Sequence, residues 1–160
     1  MTLYILIGAP GSGKSYYAKR HMMQGPGWRY ISRDEVRFEI VKDDEEYFSH
    51  ETKVFNTYIK RIKSSFNEEG VFNVIADATH LNWASRRKLI NALGSALNKV
   101  DIIPVVMNTD LFTIEEQNNQ RTGRACVPLS VVRRMYAQIT DPKDDPYHYT
   151  AIMYVDFKKE

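Results

Sequence analysis

The sequence predicts an α/β fold in which helices cover both faces of a parallel sheet of about five strands. Short apolar runs of strand length alternate along the chain with longer segments of helical period. A glycine-rich turn follows the first apolar run and opens the first helical segment. The 160 residues are enough for one buried core, so we expect residues 1–160 to form a single domain.

Five segments have the length and composition of strands. They are residues 2–7, 28–31, 71–76, 100–107 and 150–157. The fourth run contains Pro104. Because proline lacks the N–H donor of a ladder, this strand is expected to begin irregularly or to lie near an edge of the sheet.

Six segments have the period or the boundary signals of helices. They are residues 13–24, 32–42, 46–67, 83–97, 109–120 and 128–140. The Gly-Pro-Gly sequence at 25–27 ends the first of them. Ser32 and Glu35 open the second as a capping box. The third carries apolar residues at spacings of three and four along its whole length.

Later helix starts also have signals of their own. Asn82 is suited to cap the fourth helix, and Thr109 or Asp110 the fifth. Pro128 suits the first position of the sixth, since its missing N–H has no partner there in any case. Alternating strands and helices of this kind predict right-handed crossovers and a ligand site beyond the carboxyl ends of the strands.

The turn after the first strand matches the phosphate-binding loop pattern G-x-x-x-x-G-K-[ST] at all eight positions. It reads Gly8-Ala9-Pro10-Gly11-Ser12-Gly13-Lys14-Ser15. Glycines let backbone N–H groups approach a polyphosphate, and the following helix start adds partial positive charge. Lys14 is expected to reach the β- and γ-phosphates of ATP or GTP, and Ser15 to offer its hydroxyl to Mg²⁺. The alternative is a chance glycine turn.

Acidic residues with candidate catalytic or binding roles follow the second and third strands. Asp34 begins a helix with Arg37 one turn later, so this carboxylate is suited to accept a proton while the arginine holds an acceptor anion. The alternative is an aspartate that favours the helix dipole and a solvated arginine. Asp77 ends the third strand, where it is suited to hold metal-bound water or an arginine, and Thr79 to contact the acceptor. Both also fit ordinary turn and capping roles.

A basic segment precedes the sixth helix. Residues 117–140 contain no acidic residue, and Arg121 and Arg124 flank Gly123. Arginines that close over donor phosphates recur in phosphoryl transfer, so residues 111–128 are interpreted as a lid. The alternative is a basic helix end that complements its own dipole. Paired arginines such as Arg86 and Arg87 are expected on a solvated face.

Several of these motifs together resemble a known family. The phosphate loop, Arg-Asp-x-x-Arg at 33–37, Asp-Ala-Thr at 77–79, Val-Pro at 127–128 and Arg-Met-Tyr at 134–136 occur in this order. The set resembles the kinase domain of phage polynucleotide kinases, and more widely the P-loop kinases that include the zeta toxins. The resemblance covers nearly the whole chain and implies a three-layer P-loop kinase fold, here as a stand-alone domain.

The resemblance also implies residue roles. Lys14 and Ser15 would serve the donor nucleotide and the metal, Asp34 would be the general base on a 5′-hydroxyl, and Arg37 would bind the acceptor near its own phosphate. Arg121 would be the lid arginine on the donor phosphates. One extra residue between Arg121 and the Val-Pro pair leaves Arg124 as the alternative. Ala78, inserted between the aspartate and the threonine of the family pattern, leaves the role of Asp77 open.

Together these features predict a kinase that transfers the γ-phosphate of ATP or GTP to a 5′-hydroxyl end of DNA or RNA. Two alternatives stay open. The same chemistry could act on a hydroxymethylated base in DNA or on a nucleoside, sugar or nucleotide-sugar, or the chain could be a nucleotide-binding module without turnover. The acidic run at 43–46 would repel the phosphates of a long nucleic acid.

The composition of the chain indicates its cellular compartment. No run is long and apolar enough for a membrane span, and Cys126 is the only cysteine. A cytoplasmic protein is therefore expected. The net charge of +2 does not by itself indicate nucleic acid. The sequence leaves the oligomeric state open.

Overall fold

The computed structural model describes residues 1–156 and contains one five-stranded sheet. The strands are β1 (Thr2–Ile7), β2 (Trp28–Ser32), β3 (Asn73–Asp77), β4 (Asp101–Met107) and β5 (Met153–Val155). Their order across the sheet is β2-β3-β1-β4-β5, and every pairing is parallel. The predicted fold class is confirmed.

Helices connect the strands. They are α1 (Lys14–Tyr17), which continues as a π-helical turn over Ala18–Met22, then α2 (Arg33–Ile40), α3 (Glu51–Phe66), α4 (Trp83–Leu93), α5 (Leu111–Asn119) and α6 (Leu129–Ala137). Short 3₁₀ turns occupy Gly94–Leu97, Gly123–Ala125 and Pro142–Asp144. None of the helices within residues 1–156 combines the length and apolarity that a membrane crossing needs.

The core has two layers because the strands alternate their side chains. Leu3 and Ile5 of β1 lie on one face with residues of α3 and α4, such as Ile62 and Leu89. Leu6, with the opposite parity, lies on the other face with Ala18 and Met22, which follow α1. With helices on both faces, the carboxyl ends of the strands remain as the open edge of the sheet.

Helix α3 begins five residues later than its sequence period predicts. Residues 46–50 form a turn in which the Ser49 hydroxyl donates to the Glu46 carbonyl at 2.6 Å. The apolar period continues through this turn because Tyr47 packs on Phe38 of α2, although it is not helical there. The last strand is also shorter than predicted, and its predicted end at Phe157 lies outside the described residues.

Pro104 lies inside β4, opposite Ile5 of β1. Two residues earlier, Ile102 directs both of its backbone groups to Thr150, on the side away from β1. The backbone nitrogen of Pro104 faces the same side, away from β1, because residues two apart in a strand direct their backbone groups alike. On that side β5 pairs only with residues 105–107. The missing donor therefore costs no bond to β1, so β4 tolerates proline one strand in from the sheet edge.

The predicted helix starts hold at three positions. Ser32 accepts the Glu35 N–H at 3.2 Å, but the Glu35 side chain pairs with Lys19 instead of completing the box. Asn82 makes a full capping box with Ser85. Asp110 accepts the N–H of Thr113 at 2.9 Å.

Arg86 contradicts the expectation of a solvated arginine. Its side chain is fully buried and makes two 2.7 Å hydrogen bonds to the Asp145 carboxylate. The guanidinium also donates to the carbonyl of His80 and the hydroxyl of Thr140. A buried arginine satisfied in this way ties α4 to the chain between α6 and β5.

Candidate functional site

One cavity opens beyond the carboxyl ends of the strands. Its volume is about 630 Å³. The lining residues include five that the sequence places at this edge, namely Pro10, Lys14, Asp34, Asp77 and Thr79. We call the phosphate loop with Asp77 the loop side of the cavity, and α2 with residues 43–51 the α2 side.

Glycines give the phosphate loop its shape. Gly11 and Gly13 have φ angles of +89° and +85°, which side chains disfavour. A Cβ on Gly11 would lie 2.5 Å from the Ile114 carbonyl oxygen, and one on Gly8 would lie 2.4 Å from the Ser12 Oγ. Glycine is therefore required at 11 by close approach to the backbone as well as by its φ angle, whereas at 8 the neighbour is the end of a serine side chain that can move.

Two side chains hold the loop from outside. The Thr109 hydroxyl donates to the Ser12 carbonyl at 2.8 Å, and the Gln117 amide donates to the Gly11 carbonyl at 2.9 Å. Two loop carbonyls are thus held from behind, while the N–H groups of Gly8 and Ser12 donate to the Thr79 and Ala9 carbonyls at 3.1 Å each.

Lys14 lies at the base of the cavity with 7% of its surface exposed. Burial lowers the pKa of its ammonium, while the carboxylates of Asp77 and Asp34 act in the opposite direction and Arg121 reinforces the lowering. Asp77 ends β3, Asp34 lies in the first turn of α2, and Arg121 belongs to the predicted lid. An additional anion at this point would stabilise the charged lysine.

The end of β3 meets the start of α1 through Asp77. This carboxylate is 3% exposed, and its Oδ2 accepts the Ser15 hydroxyl at 2.5 Å and the Tyr30 hydroxyl. Burial, and then the Asp77 charge, raise the pKa of Tyr30. Tyr30 therefore acts as a neutral donor that fixes the carboxylate.

The loop side fits a nucleotide phosphate and Mg²⁺. The Ser12 Oγ is buried and has no hydrogen-bond partner within residues 1–156, so its hydroxyl is available to a bound group. Ser15 and Asp77 offer a hydroxyl and a carboxylate, the hard oxygen ligands that Mg²⁺ takes alongside water and phosphate.

Asp34 lies on the α2 side at the cavity, with 58% of its side chain exposed. Its Oδ1 accepts Arg37 Nη1 at 2.5 Å and the Tyr47 hydroxyl at 3.1 Å. Arg37 is 7% exposed and also binds Glu51 through two hydrogen bonds of 2.8 and 3.2 Å. The arginine thus uses its donors on protein groups and holds the Asp34 carboxylate in place.

Glu51 and Tyr47 are site residues that sequence reasoning missed. Glu51 accepts from Arg33 Nη2 at 2.9 Å as well as from Arg37. In the sequence, both residues stand only as positions of a predicted amphipathic helix. The signal for Glu51 was a carboxylate among the apolar residues of the helical period.

The two arginines of the predicted lid have different surroundings. Arg121 lies close enough to Lys14 to lower its pKa, and its guanidinium donates only weakly to the Ala125 carbonyl at 3.3 Å. Arg124 donates to the Val41 carbonyl at 2.8 Å and lies 3.5 Å from Asp43. Both line the cavity, Arg121 beside the loop side and Arg124 bound to the α2 side.

Buried Asn118 at the end of α5 holds the chain beyond these arginines. Its side-chain amide donates to the Val127 carbonyl at 2.6 Å and accepts the Val127 N–H at 3.1 Å. Ile114, in the same helix, is buried against the phosphate loop. Residues 120–128 therefore pass over the cavity between two fixed points.

Thr79 and His80 follow β3. Thr79 lines the cavity, and its carbonyl accepts the Gly8 N–H at 3.1 Å. His80 has a φ of +44° and is buried, with Nδ1 2.8 Å from the Leu6 carbonyl oxygen. Burial lowers its pKa to about 4, against the effect of that hydrogen bond, so the ring is neutral at pH 7. These contacts give His80 a structural role.

Known proteins share this sequence pattern and fold. Residues 3–142 match the family model AAA_33, described as an AAA domain. A chain of the Pnkp1/Rnl/Hen1 RNA repair complex is similar over 86% of this chain and 43% of that one, with 20% identity and a TM-score of 0.69. The present chain thus spans less than half the length of that protein.

Two further structures align over nearly the whole chain. A fungal RNA kinase matches 99% of this chain and 76% of its own, with 11% identity and a TM-score of 0.62. Chaetomium thermophilum Kti12, solved with ADP-AlF3, matches 99% and 90%, with 15% identity and a TM-score of 0.60. At these identities the likeness shows a common fold, that of P-loop kinases. The narrower grouping with phage enzymes and zeta toxins stays a prediction.

Proposed function

Since the chain belongs to the AAA_33 family of AAA domains, we propose that it is a kinase that transfers the γ-phosphate of ATP or GTP to a hydroxyl group. The 5′-hydroxyl end of DNA or RNA is the acceptor that we favour. The observation that carries the proposal is the single cavity lined by both Lys14 and Asp34. A phosphate-binding lysine and an exposed carboxylate there can serve the two ends of one transfer reaction.

On the loop side, the backbone of residues 8–15 and the Lys14 ammonium hold the donor phosphates. Ser15 and Asp77 would hold Mg²⁺, directly or through its water, and the ion would neutralise phosphate charge. The Ser12 hydroxyl gains a partner when a phosphate binds. Asp77 is thereby assigned to the donor, where the sequence left its role open.

On the α2 side, Asp34 takes the proton of the acceptor hydroxyl. The hydroxyl oxygen forms a bond to the γ-phosphorus as the bond from that phosphorus to the β,γ-bridging oxygen breaks, and the nucleoside diphosphate leaves. Arg37 positions Asp34, because its donors bind this carboxylate and Glu51. Thr79 contacts the acceptor from the end of β3.

Arg121 supplies positive charge to the transferred phosphoryl group. Its proximity to Lys14 supports this choice over Arg124, whose guanidinium binds the Val41 carbonyl. Two of the similar structures are named as an RNA kinase and as part of an RNA repair complex, which supports a nucleic-acid acceptor.

The acidic residues Asp43, Glu45 and Glu51 line the α2 side and favour a second candidate acceptor. Glu51 is paired with Arg33 and Arg37, and Asp43 lies 3.5 Å from Arg124, so this wall has little positive charge left to attract the phosphates of a long strand. A nucleoside, a sugar, a nucleotide-sugar or a hydroxymethylated base would present fewer charges. The catalytic residues would be the same.

Transfer of label from γ-labelled ATP tests the proposal, with Mg²⁺ and a panel of acceptors. The panel holds 5′-hydroxyl DNA and RNA oligonucleotides, a duplex with hydroxymethylated bases, nucleosides and water. We expect label on the 5′ ends. If label appears only on the modified duplex or on nucleosides, that molecule is the acceptor in place of the 5′-hydroxyl end. If the protein binds nucleotide but transfers no label, it is a binding module.

The variant Asp34→Asn separates catalysis from binding. It should lower transfer by roughly 10²- to 10⁴-fold, the usual contribution of a general base, and leave nucleotide affinity unchanged. Glu35→Gln is the matched control, because Glu35 is the next carboxylate of α2 and pairs with Lys19 outside the cavity. Equal activity of the two variants would remove Asp34 from the mechanism.

A further inference from the structure

The ring of Phe48 is exposed at the acceptor side of the cavity. Four large apolar side chains are exposed within residues 1–156: Phe48, Phe72, Phe112 and Tyr154. Phe48 is 60% exposed and is the one of these four that lines the cavity. An apolar ring left open at a polar site is a candidate ligand contact.

The protein supports this ring from one side. The Tyr47 ring meets Phe48 edge to face, with centroids 4.7 Å apart and planes at 87°. The Arg37 guanidinium lies 5.5 Å from the Phe48 centroid and 4.7 Å from that of Tyr47. These contacts hold Phe48 without covering it.

The same contacts connect the ring to the acceptor carboxylate. The Tyr47 hydroxyl donates to Asp34 Oδ1 at 3.1 Å, and Arg37 donates to the same oxygen at 2.5 Å. A group that lies on Phe48 is therefore placed relative to Asp34 through two short chains of contacts. Such a group can orient a hydroxyl toward the general base.

The charge of this wall indicates what lies on the ring. The carboxylates and arginines on this side of the cavity are largely paired with one another. Arg37 has its donors on Glu51, Asp34 and Tyr47, Arg33 donates to Glu51, and Arg124 lies 3.5 Å from Asp43. The wall is thus poorly equipped to hold an acceptor phosphate. A flat, uncharged nucleobase suits both the exposed ring and surroundings whose charges are already paired.

We propose that Phe48 stacks on the base of the acceptor's 5′-terminal nucleoside and so directs its 5′-hydroxyl to Asp34. This assignment rests on the proposed function. It makes the terminal base, rather than the following phosphates, the feature by which the acceptor is held. Phe48 is a substrate-binding residue in this account and takes no part in the proton transfer.

The test compares two 5′-hydroxyl oligonucleotides that differ only in an intact or an abasic 5′-terminal nucleotide. We expect Phe48→Ala to raise the KM for the intact acceptor by about 5- to 150-fold, the range for loss of one stacked base. The KM for ATP should not change. For the abasic acceptor, Phe48→Ala and the wild type should have the same raised KM, because this acceptor has no terminal base to stack.

Two further variants complete the design. Phe48→Trp should retain most of the affinity for the intact acceptor, because it restores a stacking surface. Phe72→Ala, which removes a ring with 65% exposure outside the cavity, should match the wild type. Equal KM values for Phe48→Ala and Phe72→Ala on the intact acceptor would overturn the stacking proposal, and so would an equal loss on both acceptors.

Failure of the proposed function is seen in the wild type alone. If the wild type transfers phosphate to neither oligonucleotide, the 5′-hydroxyl acceptor is wrong and the stacking assignment falls with it. If the wild type transfers phosphate and Phe48→Ala keeps the wild-type KM for the intact acceptor, the stacking assignment fails and the proposed function stands.

Discussion

The two sides of the cavity are built by different means. The loop side is a backbone structure, in which glycine φ angles of +89° and +85° shape the loop and two of its carbonyls are bound from behind. The α2 side is a side-chain network, in which Arg37 connects Glu51, Asp34 and Tyr47. A backbone cradle suits any polyphosphate, whereas a side-chain network can change its acceptor by substitution.

Arg121 and Arg124 are the sharpest test of this division, with the largest expected effect. We expect Arg121→Ala to lower kcat by roughly 10³- to 10⁵-fold, because an arginine on the transferred phosphoryl group contributes about that much. Arg124→Ala should cost far less, since its guanidinium binds the Val41 carbonyl on the α2 side. Single-turnover transfer with saturating ATP measures both.

Arg133→Ala controls for loss of positive charge, because Arg133 pairs with Glu115 on the surface. It should behave as the wild type. A larger loss from Arg124→Ala than from Arg121→Ala would exchange the roles of the two arginines, and the division of the cavity would have to be redrawn.

The sequence predicts the loop side of the cavity better than the α2 side. The phosphate loop is contiguous, and the ends of parallel strands meet at one edge, so Lys14, Asp34 and Asp77 could be placed together before the structure. Glu51 could not, because its role depends on how α3 packs on α2, which spacing along one helix does not specify. The predicted helix start at 46 hid the turn that brings Tyr47 to Asp34.

The prediction that Arg86 lies on a solvated face was wrong for a related reason. Its burial depends on Asp145, which lies 59 residues later in the chain. Adjacent arginines on a helix have a solvated face as their default, and only the tertiary partner makes one of them internal. Local patterns therefore predicted the strands and the loop, whereas long-range ion pairs required coordinates.

His80 connects β1, which leads into the loop side, with α3, whose first residue Glu51 belongs to the α2 side, and it gives a prediction of intermediate size. Its Nδ1 lies 2.8 Å from the Leu6 carbonyl oxygen of β1, and its Nε2 faces the Tyr58 hydroxyl of α3 at 3.4 Å. In the folded protein burial lowers its pKa to about 4, from an ordinary 6.5. Between these pH values the unfolded chain binds more protons at this group, so the free energy of unfolding falls as the pH falls.

The loss from this group is on the order of 3 kcal/mol across that window, and it contributes no pH dependence above pH 6.5. His80→Asn keeps a donor for Leu6 and tolerates positive φ, and it should lose correspondingly less between pH 6.5 and 4. Denaturant unfolding of both proteins across this range measures the difference. Parallel curves would mean that His80 takes up its proton without unfolding, and the two sides would not depend on it as a common support.

Glu51→Gln gives the smallest effect and tests whether the α2 side works as a network. The variant keeps the shape of the side chain but removes the charge that Arg33 and Arg37 share. Arg37 would then be attracted chiefly to Asp34, and the carboxylate would lose its set position. We expect kcat/KM for the acceptor to fall by about 10- to 100-fold with nucleotide affinity unchanged, since a small misplacement of a reacting group costs this much. Glu39→Gln is the matched control, because Glu39 makes an exposed ion pair from α2 to Arg61 of α3. If both variants lose activity only in proportion to their loss of thermal stability, Glu51 acts as a structural ion pair, and Asp34 holds its place without it.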